Sequence, residues 1–182
     1  YSFGIGAGYM LPSLLMELPK NNNVRKDLQE YANLNNNIYA YPYILSGYAL
    51  ISHNSLVNET NSILELLQSK TMNKKTVAGV CFANETSINP SQVLVENNIK
   101  DINKQNYLQC TTTYNAYTNF LSKKAVSLLG TARDVARIKN RELNGSISSC
   151  SYNFLGGYSD LIQYVGISKN LTKQQVMYAT NF

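Results

Sequence analysis

The chain has 182 residues, and 44% of them are hydrophobic, which is enough for one large domain or two small lobes with a buried core. Only 15% are charged, so the polar surface comes mainly from about two dozen asparagines and 14 tyrosines, a composition that suits neutral polar ligands. The net charge of +5 comes from thinly clustered Lys and Arg, which argues against nucleic-acid binding. No run approaches the roughly 20 apolar residues of a membrane-spanning helix.

The N-terminal stretch "YSFGIGAGYM" has no initiator Met and lacks the basic region and long apolar core of a signal peptide, so we expect the sequence to be part of a longer chain. The glycines from Gly4 to Gly8 are spaced G-x-G-x-G, without the third glycine of a dinucleotide-binding motif, and we predict a loop there. Further on, Val24, Leu28 and Tyr31 are spaced i, i+4 and i+7, which predicts a short amphipathic helix.

The segment "YAYPYILSGYALISHN" predicts two strands joined by a bend. Tyrosines alternate over residues 39–43 with the period of a strand, and Pro42 restricts that strand to an edge or crossing position because it has no backbone N–H. Residues 46–47, Ser-Gly, are predicted to make the bend, and residues 49–52 form a second apolar run. A helix is predicted from Thr60.

Strand and helix patterns then alternate, which predicts the α/β class. The runs "TVAGVCFA", residues 76–83, and "AVSLLG", residues 125–130, are continuously apolar, as is typical of strands buried on both faces of a mostly parallel sheet. Helical patterns occupy residues 90–98 and 114–121.

The segment "GTARDVARIKNRE" lies at a predicted strand-to-helix turn. The strand ends at Gly130 and the helix begins at Thr131, so the free backbone N–H groups of the first helical turn point off the carboxyl end of the sheet, where ligands bind in open α/β folds. Arg133, Arg137 and Arg141 recur every four residues on one helix face. Arg133 is a candidate for ligand contact, whereas Arg137 and Arg141 fit a salt-bridged, exposed helix face.

The C-terminal stretch "YVGISKNLTKQQVMYATNF" predicts a short strand over residues 164–167 and a helix that begins at Thr172. Gln175 follows Thr172 by three residues, which is the spacing of a capping box. Val176 and Ala179 give this helix an apolar face, but no Gly or Pro closes it. We therefore expect the sequence to be interrupted within this element.

The cysteines predict neither a metal site nor any other cofactor, because they form no C-x-x-C pair and have no histidine at the spacing of a zinc site. They are Cys81, Cys110 and Cys150. An odd number permits at most one intramolecular disulfide, for which Cys110 and Cys150 are the better pair because Cys81 lies in an apolar run. Three unreacted thiols are the favoured interpretation.

Residues for hydrolytic catalysis are sparse, so an enzyme is the weaker functional class. His53 is the only histidine, and no G-x-S-x-G motif occurs. The acids that could form a catalytic carboxylate pair are scattered along the chain: Glu17, Glu85, Asp134 and Asp160. We expect His53 to be a surface or packing residue, and we expect tyrosine rings to offer stacking faces and hydroxyl groups to a polar ligand.

Three segments, in order along the chain, carry a family resemblance. The segment from "LLMELPKNNN" through "YAYPYILSGYALISHNSL" is similar to a pattern of L-x-E-L, G-x-x-Y-A-x-P and Y-N-x-x-L elements, with His53 at the usual tyrosine. "FLSKKAVSLLGTARD" is similar to F-x-x-G-K-A-A-M-x-x-x-G, with Ser122 in place of glycine, and "FLGGYSDLIQYVGISKN" resembles G-G-x-x-x-x-I-S-K-N. These patterns resemble those of the extracellular solute-binding proteins of sugar ABC transporters, including the maltose-binding type.

The resemblance implies a type II periplasmic-binding fold, with two α/β lobes joined by crossing strands and here incomplete at both ends. Residues 1–45 would belong to lobe one up to the first crossing, residues 46–160 mostly to lobe two, and residues 161–182 to the return crossing and the start of a lobe-one helix. It also implies an extracellular monomer, periplasmic or lipid-anchored at the cell surface, that delivers its solute to a membrane permease.

The matching positions imply a ligand site in a cleft between the lobes, lined by the first crossing, the strand ends of lobe two and the return crossing. The candidates are Tyr43, Ser46, Gly47, Tyr48, Asn84, Glu85, Ser87, Gly130, Thr131, Ala132, Arg133, Gly157, Tyr158 and Asp160. Sugar-binding relatives often stack the ligand on Trp, which this chain lacks, so either tyrosine serves or the ligand is not a sugar. An enzyme acting on a carbohydrate or other polar substrate, and a basic interaction module, are the alternatives.

Overall fold

The structure is a computed structural model that describes residues 1–4, 11–57, 65–66, 77–85, 89–96, 98–99 and 106–181. The fold is mixed α/β, which confirms the predicted class. The chain forms two compact units: unit 1 contains Tyr1–Ser46 and Tyr158–Phe182, and unit 2 contains Gly47–Gly157. The predicted helix from Thr60 lies almost entirely outside the described residues, as does most of the predicted glycine loop.

Unit 1 combines short elements with parts of two long strands. In chain order these are β1 (Ser2–Gly4), α1 (Leu11–Leu14), α2 (Lys26–Gln29), a 3₁₀ turn (Glu30–Ala32), β2 (Asn33–Leu34), β3 (Asn37–Ile38), the start of β4 (Tyr41–His53), the end of β8 (Cys150–Val165) and α6 (Lys173–Thr180). Helix α2 confirms the predicted helix, but Tyr31 is 48% exposed. The 3₁₀ turn has three residues per turn, so that Ala32 faces the core instead.

The core of unit 1 gathers around the end of β8. Leu15, Ala32, Ala40 and Ile162 are buried there together with Tyr164, whose ring stacks on Phe3 of β1. The Tyr164 hydroxyl donates a hydrogen bond of 2.7 Å to the Leu28 carbonyl, so the polar end of a buried ring is satisfied. Strand β1 pairs antiparallel with β8, with Ser2 opposite Val165.

Strands β2 and β3, which follow α2 and the 3₁₀ turn along the chain, form a tight hairpin. Its two turn residues, Asn35 and Asn36, have φ values of 51° and 66°. Asparagine tolerates this left-handed region, and two such residues in succession match a turn whose twist suits the flanking strands. The Asn-rich stretch that ends the predicted helix is thus a hairpin.

Unit 2 is an α/β unit. It contains the rest of β4, then β5 (Ala78–Ala83), α3 (Ser91–Glu96), β6 (Tyr107–Cys110), α4 (Thr113–Leu121), β7 (Ala125–Thr131), α5 (Ala132–Leu143) and the first part of β8. Strand β5 is parallel to both β6 and β7, and β4 is antiparallel to β7. The full six-stranded sheet, which also includes β1 of unit 1, has the strand order β1-β8-β4-β7-β5-β6.

The interior of unit 2 confirms the two buried strands predicted from their apolar runs. All seven residues of β7 are buried, and β5 is buried from Gly79 to Ala83. Helices α4 and α5 supply Phe120 and Ile138 to the same core, which also contains Cys81 and Cys150. Predicted helices at 90–98, 114–121 and from Thr131 are all present, as α3, α4 and α5.

The prediction of a bend at Ser46 and Gly47 is wrong. Strand β4 is continuous over 13 residues, and no glycine at position 47 is found at positive φ. Neighbouring strands supply hydrogen-bond partners along β4, and the ladder to β7 begins at Tyr48, directly after the glycine. The gain from this pairing outweighs the turn preference of Ser-Gly. Pro42 lies on the part of β4 outside that ladder, where its missing N–H is tolerated.

The C-terminal strand was predicted too short. Strand β8 spans 16 residues, from Cys150 to Val165, instead of 164–167. Glycines and polar residues interrupt the alternation of apolar and polar residues by which a strand is recognised. One of these glycines, Gly156, has a φ of 98°, which is not a regular strand conformation. The capping box of α6 is confirmed, since Thr172 and Gln175 exchange hydrogen bonds of 2.9 and 3.3 Å. No residue of α6 is buried. No helix of the described chain is long and apolar enough to cross a membrane.

Gly79 tests how tightly unit 2 is packed. A Cβ at this position would lie 1.9 Å from the Leu66 carbonyl oxygen, whereas a Cβ at Gly145 would meet nothing within 4 Å but would have to adopt a φ of +74°. We expect Gly79→Ala to lower the free energy of unfolding by about 3 kcal/mol and Gly145→Ala by about 1 kcal/mol, as measured by urea denaturation. Equal losses would contradict the close approach at Gly79.

Candidate functional site

The parallel strands of unit 2 end at the same edge of the sheet. Strand β5 ends at Ala83, β6 at Cys110 and β7 at Thr131, and polar residues follow each of them. We call this set, residues 84–85, 111–113 and 131–134, the carboxyl edge. Loops at the carboxyl ends of strands are the usual position of ligand sites in open α/β sheets.

Glu85 connects the end of β5 to the start of α4. Its Oε1 accepts hydrogen bonds of 2.6 Å from the Thr113 backbone N–H and 3.0 Å from the Thr113 hydroxyl. Thr112, the N-cap residue of α4, accepts from the Asn115 backbone N–H at 3.1 Å. The carboxylate therefore satisfies an N–H group that would otherwise lack a partner at the positive end of the helix.

Asp134 performs a similar role at the start of α5. Its Oδ2 accepts a hydrogen bond of 2.9 Å from the Thr131 backbone N–H, and its Oδ1 lies 3.9 Å from the Arg137 guanidinium. Burial raises the pKa of Asp134, while the Thr131 N–H and the positive charge of Arg137 oppose that rise. A Cβ at position 130 would lie 2.8 Å from Asp134 Oδ2, so glycine is required there for this contact.

Tyr48 lies opposite Thr131 in the β4–β7 ladder and is fully buried. Its hydroxyl accepts a hydrogen bond of 3.0 Å from the Asn89 backbone N–H. Tyr48, Thr113, Thr131 and Asp134 border a gap of about 10 Å³, which is at the lower limit for one water molecule. This gap is too small for a solute, so Tyr48 shapes the carboxyl edge from below its surface.

Three predicted positions at the carboxyl edge are exposed: Asn84, Ala132 and Arg133. Asn84 Oδ1 accepts a weak hydrogen bond of 3.3 Å from the Ser91 hydroxyl, and its amide N–H₂ group can donate two hydrogen bonds. The carboxyl edge thus presents an amide and a guanidinium to solvent above a layer of satisfied carboxylates.

The remaining predicted positions either lie elsewhere or fall outside the described part of the chain. Tyr43 belongs to unit 1, is 52% exposed, and shares a hydrogen bond of 2.7 Å with the Ser2 hydroxyl. Ser46 and Gly47 are half-buried within β4. Gly157, Tyr158 and Asp160 belong to β8, and their side chains lie outside the described part of the chain, as does Ser87.

His53 is a packing residue. It is fully buried, its ring stacks on Phe120 with the centroids 4.0 Å apart, and its Nε2 lies 2.8 Å from the Phe120 carbonyl oxygen. Because a carbonyl only accepts, Nε2 carries the proton. Nδ1 has no hydrogen-bond partner among the described residues. Burial lowers the pKa of His53, and the nearby Lys123 acts in the same direction.

The arginines of α5 differ in their surroundings. Arg141 Nε donates a hydrogen bond of 2.8 Å to the Tyr117 hydroxyl, and the guanidinium groups of Arg137 and Arg141 lie 5.7 and 5.9 Å from the centre of the Tyr117 ring. Arg137 also pairs with Asp134. Both side chains have partners inside the chain, and the exposed Arg133 adds its positive charge near Asp134.

The cysteines are free thiols, and Cys81 and Cys150 are buried. Burial raises the pKa of Cys150 to about 11, which keeps this thiol protonated at neutral pH. Among the described residues, no group of three His, Cys, Asp or Glu side chains is arranged to hold a metal ion.

Sequence reasoning missed Thr113 and Asn89, which hold Glu85 and Tyr48 in place. The run "TTT" before the helix at residue 114 is an N-cap signal, and Asn89 precedes a proline, so both could have been recognised as boundary residues. Their partners could not, because Glu85 and Thr113 are 28 residues apart.

Glu85 is predicted to stabilise the start of α4. Replacing it with alanine removes two hydrogen bonds at a helix N-terminus, so we expect Glu85→Ala to lower the free energy of unfolding by about 2 kcal/mol. Glu96→Ala is the matched control, because among the described residues this exposed side chain only accepts an i,i+4 hydrogen bond from Gln92. We expect the control to cost about 0.5 kcal/mol. Equal values in urea denaturation would contradict the capping role.

His53 is predicted to make stability depend on pH. Its pKa in the folded chain lies below the ordinary value of 6.5, so the unfolded chain binds a proton first as the pH falls through 6.5. Within about pH 8 to 5, stability should therefore decrease once the pH falls below about 6.5, and the stability of His53→Gln should decrease less than that of the parent chain. Urea midpoints across this range test the difference, and parallel curves for both chains would refute it.

No protein-family model matches the chain, and no curated protein matches it either.

Proposed function

We propose that the chain is the solute-binding component of an ABC importer, which captures a small polar solute, a carbohydrate, and presents it to a membrane permease. It acts outside the cytoplasm, as a periplasmic or cell-surface lipoprotein. The observation that carries this proposal is the carboxyl edge, where three parallel strands end in polar residues. The solute would contact its exposed groups, Asn84 and Arg133.

The chain path is a second support. Strands β4 and β8 each contain residues of both compact units. The family that the sequence resembles has two α/β lobes connected by crossing strands. The assignment of units 1 and 2 to those lobes, and the two-lobed type II fold, are part of the proposal.

Binding is favoured over catalysis by how the ionisable groups are used. Glu85 and Asp134 accept hydrogen bonds from backbone N–H groups at helix starts, so both carboxylates already have partners within the fold. His53 is buried against Phe120, with Nε2 directed at a carbonyl. The groups that face solvent at the carboxyl edge, an amide and a guanidinium, are hydrogen-bond donors suited to hydroxyl oxygens.

A panel of solutes tests the proposal by thermal shift and calorimetry. A bound sugar at a hundredfold excess over its Kd should stabilise the chain by about 2.7 kcal/mol. Asn84→Ala and Arg133→Ala should each weaken binding about tenfold, because each removes a hydrogen-bond donor to the solute. Lys139→Ala, a change of an exposed cation further along α5, is the control and should leave the affinity unchanged.

The alternatives give other results. No shift with any sugar, peptide or polyamine would count against a solute-binding component. Turnover of a carbohydrate substrate would indicate an enzyme instead. Binding to nucleic acid that falls steeply with salt would indicate a basic interaction module.

A further inference from the structure

Unit 1 contains a polar groove that the proposed solute site does not use. It lies between the turn at residues 20–24, helix α2 with the following 3₁₀ turn, and the β2–β3 hairpin, and its volume is about 350 Å³. This size falls in the range of small-molecule pockets. We call it the Gln29 groove, after the buried side chain that lines it.

Gln29 has an unused hydrogen-bond acceptor. The side chain is only 8% exposed, and its Nε2 donates hydrogen bonds of 2.9 Å to the Ala40 carbonyl and 3.0 Å to Asn33 Oδ1. Because the Ala40 carbonyl cannot donate, the N–H₂ group must face it, which fixes the orientation of the amide. Gln29 Oε1 is then buried without a hydrogen-bond partner among the described residues. An unpaired buried acceptor is unfavourable, which marks this wall of the groove as incompletely satisfied.

The charged residues along the groove favour a bound anion. The charged residues that line it are the cations Lys20 and Lys26 and the anion Glu30. The ion pairs among the described residues, Arg25–Asp27 and Arg137–Asp134, involve neither lysine. The excess of positive charge favours a solute with one negative group and disfavours a cation.

The neutral lining suits hydroxyl groups. Asparagines 21, 22, 33 and 36 all border the groove, and each amide can donate and accept, as a sugar hydroxyl does. Val24 and Ile38 add half-buried apolar surface, which can contact the C–H face of a sugar ring. The hairpin turn, with Asn36 at a φ of 66°, holds part of this lining in a fixed conformation.

We propose that the Gln29 groove binds a small hydroxyl-rich solute that carries one carboxylate or phosphate. Lys20 and Lys26 hold the anionic group, and the asparagine amides and Glu30 bind the hydroxyls. This site belongs to unit 1 alone and is independent of the solute site proposed at the carboxyl edge of unit 2.

Nuclear magnetic resonance of the isotopically labelled chain tests this inference. Glucuronate and a hexose phosphate are titrated separately, with glucose and inorganic phosphate as the uncharged and sugar-free comparisons, up to about 10 mM so that a Kd of about 1 mM is visible. The side-chain N–H₂ signal of Gln29 and the backbone signals of residues 33–38 should shift with at least one sugar anion. Signals of the carboxyl edge should not follow the same titration curve.

Variants give the second readout. Lys20→Gln and Lys26→Gln change exposed side chains, so the fold is retained, and each should weaken binding of the sugar anion about tenfold. Lys139→Gln, an exposed lysine of unit 2, should leave the affinity unchanged. Comparing the affinities for glucuronate and for the hexose phosphate shows whether a carboxylate or a phosphate is preferred. Binding of either sugar anion supports the proposal.

Three results would overturn it. One is the absence of any shift at Gln29 and residues 33–38. Another is an equal response to inorganic phosphate with none to glucuronate, which would indicate an adventitious ion only. The third is equal binding of glucose together with unchanged affinity in both lysine variants, which would remove the anionic group from the description of the solute.

Discussion

Complete burial of β7 is the constraint on which unit 2 depends. Every residue of this strand is buried, so both of its faces need apolar partners and both of its edges need strands. Helices α4 and α5 supply partners such as Phe120 and Ile138, while β4 and β5 satisfy its backbone on the two sides. A strand held in this way ends at a fixed point, and Thr131 at that end becomes the N-cap of α5.

The position of the carboxyl edge is set by where these strands end and the following helices begin. Carboxylates bind the N–H groups where helices begin: Glu85 at Thr113 and Asp134 at Thr131. These acids stabilise the fold, so the surface above them is left to neutral or cationic donors. The proposed role in binding a polar solute rests on this division, because amide and guanidinium N–H groups can donate to hydroxyl oxygens.

Unit 1 is stabilised in a different way from unit 2. Its elements are short, and much of its order comes from single long-range contacts, such as the Tyr164 hydroxyl at the Leu28 carbonyl and the Gln29 amide at the Ala40 carbonyl. The latter contact fixes the amide but leaves its oxygen unpaired. A buried polar group with half of its capacity used is an exception in folded chains, and here it borders a polar groove.

Local signals in the sequence determined the α/β class, the buried strands at β5 and β7, and the helix starts at Thr131 and Thr172, because periodicity and capping act between residues a few positions apart. The tertiary structure alone decided that β4 passes straight through Ser46 and Gly47, that β8 extends back to Cys150, and that β6 exists. Those outcomes depend on strand partners that are distant in sequence, and pairing with them outweighs the local preference for a turn. The same reason explains why Tyr48 is buried and Gln29 has an unpaired oxygen: both are set by neighbours that only folding brings together.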